Sequence, residues 1–311
     1  MALEVKVKKL GDISEIINSH SPYNNLKKVT PLNIFNDPRF TYACAEALGY
    51  EDIVLLEIFK NNDLIDIIPL VKTRENFWRT PIPEEFPHLN VFPSFSENLL
   101  EILNFLTREF KGFSLPYLVL NEKFAENIPK TFKVLKYPIL KLEVPQDFQR
   151  WLYRAKPRSQ DKFSKIIKFL NRDEIRLEKE SDPLGLSEKI SSALNKGSEL
   201  PILSKAILNT LILQLKIVGF DIHYLSLKAD NYEVSGAITL NNGTKTYILK
   251  MFNFTDDEKS MFPEIQLLKL MEEAEISGVK ELIIFLEKEP PILRYEYLNL
   301  ISIRFIEGDT K

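Results

Sequence analysis

The sequence predicts an α/β (α+β) chain built as two domains, each a mixed β-sheet flanked by helices. Three observations carry that expectation. Residues 221–286 read as strand, turn, strand, turn, strand, helix, strand. The turns fall at Asp230-Asn231 and Asn241-Asn242-Gly243, residue types that tolerate positive φ. Residues 53–71 lie over residues 222–240 without a gap, 169 positions apart, and helix and strand patterns at 96–111 and PYLVLN then match 262–277 and ELIIFL. Self-similarity at this spacing marks a duplicated domain. The chain, at 311 residues, is also longer than one average domain. The expected division is 1–136 and 137–311.

Residues 2–9 alternate weakly and read as a strand, and Asp12 caps a short helix ending at Asn18. Pro22 and Pro31 mark 21–36 as a loop. Asp37-Pro38 opens a helix that runs to Gly49, with aspartate as cap and proline at the first helical position. The hairpin of 53–71 follows. Pro81, Pro83, Pro87 and Pro93 make 77–95 an irregular loop. A helix over 96–111 stops at Gly112, and PYLVL is a strand.

In the second half, 137–144 reads as a strand and 146–171 as a long basic helix interrupted near Pro157. A strand at 174–180 precedes helices at 183–195 and 201–218. The second of these is apolar nearly all round, so it is expected to pack on more than one side. In the 221–286 stretch Gly278 ends the helix, and the continuously apolar strand 282–286 is expected to be buried on both faces. Pro290-Pro291 then breaks the chain, and ISIRFIE makes a final strand.

Composition excludes several classes. Lys+Arg 41 against Asp+Glu 44 gives a net charge of −3, so there is no global nucleic-acid signature. One cysteine, Cys44, beside Ala43 and Ala47, reads as inert core and rules out an internal disulfide or a Cys-rich metal site. No apolar run is long enough to span a bilayer, and the N-terminus lacks a signal core. The expectation is a cytoplasmic protein without membrane insertion. His20, His88 and His223 are scattered, and His223, on a strand face with Leu225 and Leu227, reads as a satisfied core histidine. Metal-ligand spacing, G-x-S-x-G and the P-loop pattern are all absent. Ser235-Gly236 inside a strand points to a close approach of another group to the backbone.

Three stretches resemble the tandem-GNAT superfamily, which includes Fem-type peptidyltransferases and CelD-like acetyltransferases. WLYRAKPRSQDKFSKIIKFL looks like that family's Arg-rich helix, DNYEVSGAITLNNGTKTYILKMFNF like its meander, and FPEIQLLKLMEEAEISGVKELIIFL like its cofactor-facing helix and closing strand. The resemblance implies two GNAT-like domains and an acyl- or aminoacyl-transferase acting on an amine. It also implies a pyrophosphate of coenzyme A held on backbone N–H groups at the head of the 262–277 helix. There the sequence departs. The turn TDDEKSMFPEI has no glycine, the family's Gly falls on Glu264, and Asp256, Asp257 and Glu258 add negative charge. A coenzyme A-type donor is therefore not expected. The family's closing Gly…Tyr-Lys is also absent, with Arg294 and Tyr295 in roughly that place. A catalytically inactive GNAT-like binding or assembly module is the alternative that these departures leave open.

In the transferase reading Tyr247, Glu264 or Tyr295 relays the proton. Strand alternation places Tyr247, Leu249, Met251 and Asn253 on one face and Ile248, Lys250 and Phe252 on the other. Lys250 either lines a substrate cleft, with Asn253 and Arg294 as further binding candidates, or pairs with a surface carboxylate or snorkels to solvent. Between Arg150 and Arg172 eight basic residues face one acidic, a segment of +7 in a chain otherwise −10. Arg154, Arg158, Lys162 and Lys165 share a face if the helix survives Pro157. That stripe either holds a phosphate-bearing donor or carrier, tRNA or nucleotide-linked, or is a solvated face balanced by the acidic remainder.

Overall fold

A computed structural model describes residues 3–26, 37–73, 77–81, 99–119, 128–155, 157, 159–197, 202–255, 261–284 and 296–307. The first elements are β1 (Leu3–Lys9), a 3-10 helix (Ile13–Ile16), α1 (Tyr23–Leu26), α2 (Pro38–Leu48), β2 (Ile53–Lys60), β3 (Asp63–Lys72), β4 (Phe77–Arg79), α3 (Leu99–Glu109) and β5 (Gly112–Val119). Then follow β6 (Lys133–Glu143), α4 (Phe148–Arg154), α5 (Gln160–Leu170), β7 (Ile175–Glu180), α6 (Pro183–Gly197) and α7 (Ile202–Ile217). The chain continues through β8 (Asp221–Ala229), β9 (Tyr232–Asn241), β10 (Lys245–Asn253), α8 (Phe262–Ile276), β11 (Glu281–Ile284) and β12 (Glu296–Ile306). Two compact units result: Met1–Tyr137 with Asn299–Lys311, and Pro138–Leu298. No helix among the described residues is long and apolar enough to cross a membrane.

Each unit is a mixed sheet with helices on it. In the first, β1, β2, β3 and β4 pair antiparallel, β4 pairs β5 parallel, and β5 pairs β12 antiparallel. In the second, β7, β8, β9 and β10 pair antiparallel, β10 pairs β11 parallel, and β11 pairs β6 antiparallel. Among these described pairs the parallel one falls at the same place in both units, spanned by α3 in one and α8 in the other. A parallel pair needs such a crossover, whereas antiparallel neighbours need only turns.

The two hairpins repeat each other to the register. Ile53 pairs Val71 as Ile222 pairs Leu240, and the bulged residue is Ile65 of β3 in one hairpin and Val234 of β9, at the matching position, in the other. Both turns hold two residues at positive φ, Asn61 and Asn62 at 54° and 69°, Asp230 and Asn231 at 48° and 68°. Side chains that tolerate the left-handed region allow the tight turn whose twist matches the strands. Local chemistry thus fixes the same hairpin twice. Helix ends obey local chemistry as well. Asp12 and Glu15 form a capping box, Asp37 accepts from the Arg39 N–H, and Gly49 closes α2 at φ 65°.

Five expectations need correction. Residues 77–95 are not wholly a loop, because Phe77–Arg79 pairs with both β3 and β5 before the prolines begin. Tyr23–Leu26 is a helical turn within the expected loop at 21–36, of which 27–36 lies outside the described residues. Helix α7 buries one stripe, Leu208, Leu211, Ile212 and Leu215, and leaves Ile217 73% exposed, so it packs on one side only. Strand β11 buries Leu282 and Ile284 but only half-buries Ile283. Residues 299–311, with the part of β12 that bonds to β5, fall in the first unit rather than the second.

Ser235-Gly236 behaves as its composition predicts. A Cβ on Gly236 would lie 2.7 Å from Cζ of Tyr224, whose hydroxyl donates to Glu233 at 2.9 Å. Gly236→Ala is expected to cost about 1–3 kcal/mol by overpacking, read as a lower urea midpoint. A second expected effect is pH-dependent. Asp66 on β3 is buried, and burial pushes its carboxyl up to about 7, although the Ile67 N–H donates to it at 2.8 Å. The folded state keeps its proton where the unfolded chain has lost it, so stability is greatest below pH ~4 and falls as pH rises to ~7. Asp66→Asn should remove that decline, on the order of 3–4 kcal/mol, in denaturation series from pH 4 to 8.

Candidate functional site

Helix α8 organises the second unit. Five consecutive residues at its start, Glu264, Ile265, Gln266, Leu267 and Leu268, are all buried, so the helix is enclosed on more than one side. Its apolar residues share one core with β8, β9, β10 and β11 and with Phe148, Leu152, Phe163, Ile166 and Leu170 of α4 and α5. The last three recur at i, i+3 and i+7, which gives α5 its apolar stripe. A helix so enclosed must satisfy its polar side chains internally. Gln266, fully buried, accepts from the Ser235 hydroxyl and donates to the Leu225 carbonyl at 3.2 Å.

Glu264 is satisfied by the basic segment. Lys162 Nζ lies 2.8 Å from Glu264 Oε1, joining the first turn of α5 to the first turn of α8. The lysine keeps 32% of its side chain exposed, the glutamate 10%. Glu264 Oε2 is buried and has no hydrogen-bond partner among the described residues. Burial pushes the Glu264 carboxyl above the usual carboxylate range, and the Lys162 ammonium only partly offsets it. The head of α8 has no side-chain cap, and Pro263 stands in its first turn. One free carboxyl oxygen, tuned upward and held from behind by a lysine, can accept a proton.

The basic stripe does not survive as one face. Ala155 is extended, with ψ 137°, two residues before Pro157, and Ser159 starts α5 as a new cap whose Oγ accepts from the Lys162 N–H. Arg154 is therefore exposed on α4 and Lys165 on α5, while Lys162 turns to Glu264. Arg158 lies outside the described residues, as do Arg294, Tyr295, Asp256, Asp257 and Glu258.

Strand β10 carries the other candidates, and a bulge re-aims them. Its ladder with β9 slips between Ile248 and Lys250, so alternation changes phase there. Ile248 and Met251 both pack on the α8 side, which puts Lys250 with Phe252 on the opposite face. The expected grouping of Tyr247, Leu249, Met251 and Asn253 on one face fails for this reason. Lys250 is half-exposed and meets no carboxylate among the described residues. Asn253 is exposed, and its Oδ1 accepts from the Thr255 hydroxyl at 2.8 Å. The described pairing of β10 with β11 runs only from Lys245 to Ile248.

Tyr247 is removed from this chemistry. It is 3% exposed, and burial followed by the Glu281 carboxylate pushes its hydroxyl up to about 12. Glu281 itself bridges Lys141 and Lys245, each at 2.9 Å. Cys44 is buried, with its thiol pushed up by burial, as its reading as inert core requires. Of the sequence candidates, then, the structure brings together Lys162 and Glu264. Sequence reasoning missed Ser235 and Gln266 as a pair, although two polar residues at 264 and 266 inside FPEIQLLKLM were the available signal.

No protein-family model matches the chain, and no curated protein matches it. Solved structures do. FemX superposes with a TM-score of 0.55 at 8% identity, over 96% of this chain and 97% of that one. A conserved protein of unknown function from Bacteroides thetaiotaomicron gives 0.51 at 10% identity, over 97% and 100%. A tandem GNAT protein from the clavulanic acid biosynthesis pathway gives 0.48 at 9% identity, over 99% and 100%. At such identities the likeness is one of fold.

Removing the lysine should strand a buried carboxylate. Lys162→Met is expected to cost about 2–3 kcal/mol, less than the ~3–5 of a fully enclosed pair because the lysine is partly wet. Lys165→Met, on the exposed face, should stay within about 0.5 kcal/mol. Chemical denaturation of the two variants at pH 7 makes the comparison.

Proposed function

We propose that this chain, whose fold is a divergent tandem-GNAT fold, is an acyl- or aminoacyl-transferase acting on an amine. The observation that carries the reading is the Glu264 carboxyl at the head of α8, with Oε1 on Lys162 and Oε2 buried and unpartnered. An amine attacking an ester or thioester carbonyl gains a positive charge as the N–C bond forms. Its proton must leave before the C–O or C–S bond to the carrier breaks. A carboxylate with a raised pKa is a better base for that step than one at the ordinary value. Backbone N–H groups polarise the carbonyl, and positioning supplies much of the remaining rate.

The donor in this proposal is not coenzyme A. Glu264 puts a carboxylate at the head of α8, and the sequence before it carries Asp256, Asp257 and Glu258 without a glycine. A helix terminus contributes ~0.3–1 kcal/mol to anion binding, too little to offset several like charges. A phosphate-bearing carrier such as tRNA is instead met by Arg154 and Lys165, both exposed. Cys44 as a buried free thiol fits a reducing cytoplasm. The acidic, glycine-free turn also favours a second reading, an inactive binding or assembly module.

Calorimetry with coenzyme A up to millimolar should show no binding. Filter binding of bulk aminoacyl-tRNA should show affinity that falls with salt and drops further in Arg154→Glu with Lys165→Glu. Transfer of the labelled aminoacyl group to an amine should fall ~10²-fold or more in Glu264→Gln. Micromolar coenzyme A binding would overturn the donor assignment. Binding of tRNA with no transfer, unchanged by Glu264→Gln, would leave the inactive module.

A further inference from the structure

At the end of α8 away from Glu264, a cavity of about 40 Å³ opens between the sheet and the last turns of the helix. His223 of β8, Thr239 of β9 and Thr246 of β10 line it from the sheet, and Ser277 from the helix end. Leu225, Leu270 and Leu282 give it an apolar wall. His223 is 7% exposed and Thr239 2%. The imidazole is buried as its strand position predicts, but it is satisfied on one side only. Nε2 lies 2.8 Å from Asp221 Oδ1, which holds that side of the ring, and Nδ1 has no hydrogen-bond partner among the described residues. Buried polar atoms left so are rare and unfavourable.

Charge at the cavity is mixed. Lys179 on the rim and Lys216 nearby act on the ring from one side of the balance. Asp221, Glu273 and the C-terminal end of α8, which has no basic residue in its last turn, act from the other. Burial, the first cause, holds the His223 pKa below its ordinary value, so the ring is neutral at pH 7 and offers one acceptor and one donor.

We propose that this cavity binds the hydroxyl-bearing end of a small neutral polyol. A hydroxyl both donates and accepts, as do the threonine and serine groups and the neutral imidazole facing it. The leucine wall takes the C–H side of such a ligand. Opposed charges around the rim favour neither an ammonium nor a phosphate. The helix residues that line the cavity stand about 9–20 Å along the helix from Glu264. The cavity is thus a second site, independent of the proposed transfer reaction.

Saturation-transfer NMR with glycerol and sorbitol, beside ammonium chloride and sodium phosphate at matched ionic strength, tests it. Melting temperature is unsuitable as the readout, since polyols stabilise proteins by exclusion from the surface. Saturable polyol binding in the millimolar range is expected, with movement of the His223 ring resonances. Affinity should fall tenfold or more in Thr239→Val, which keeps the side-chain shape, and in His223→Phe. If His223→Phe does not fold, Thr239→Val alone decides. No saturable transfer from either polyol, transfer that survives the folded variants, or ring resonances that respond only to ammonium or phosphate would overturn the proposal.

Discussion

The enclosure of α8 is the constraint on which the second unit depends. A helix buried through Glu264, Ile265, Gln266, Leu267 and Leu268 gains apolar contact on several sides, but over that run it exposes no face where a polar group can meet water. Both polar residues in that run therefore need protein partners. Gln266 takes the sheet side through Ser235 and the Leu225 carbonyl, and Glu264 takes the helix side through Lys162. The pairings fix the rotation of α8 about its own axis, because the helix cannot turn without separating one of them. They also fix where α5 begins, since Lys162 must stand beside Glu264 while Phe163, Ile166 and Leu170 reach the same core.

The break in the basic segment comes from local chemistry at Pro157 instead. Helix α4 buries Phe148 and Leu152 against the core that α5 meets with its own stripe. Spacing alone would allow one uninterrupted helix, since at 100° per residue all five of these side chains fall within about 60° of one face, so it is Pro157 and not the core that makes the break. Extended backbone at Ala155, near Pro157, and a fresh cap at Ser159 let each piece turn separately. The charge of the segment is divided in consequence. One lysine becomes structural, and Arg154 and Lys165 stay in solvent on different helices. A phosphate-bearing ligand would meet them as two points rather than as one stripe.

What could be read in the sequence was whatever local chemistry decides. The hairpins, their turns, the helix caps and the duplication were legible because Asn61-Asn62 and Asp230-Asn231 set turn and register within a few residues. Three features were not. Strand β4 is three residues long and exists only because β3 and β5 flank it. The partner of β12 is chosen by tertiary pairing. The bulge in β10 falls at Leu249, with no glycine to announce it, and reverses the faces of every residue after it. At the site, Glu264 stood out as a carboxylate in an apolar helix, but its partner lies 102 residues away and no spacing rule reaches that far.

The duplication also bears on which half carries the site. The shared register places Asp66 of β3 where the second hairpin has Ser235, each opposite the residue before the bulge. The helix correspondence places Leu100 of α3 where α8 has Gln266. In the second unit a serine and a glutamine join sheet to helix across the core. In the first, the helix side offers a leucine, and the Asp66 carboxyl takes the neighbouring Ile67 N–H while burial keeps it protonated to about pH 7. A carboxyl in apolar surroundings without a cross-core partner weakens its unit as it ionises, whereas the Ser235–Gln266 link is neutral and indifferent to pH. The same strand position is thus a weak point in one copy and a brace in the other. The brace stands two residues from Glu264, so in the second copy a raised carboxyl stands on a helix that is tied to the sheet.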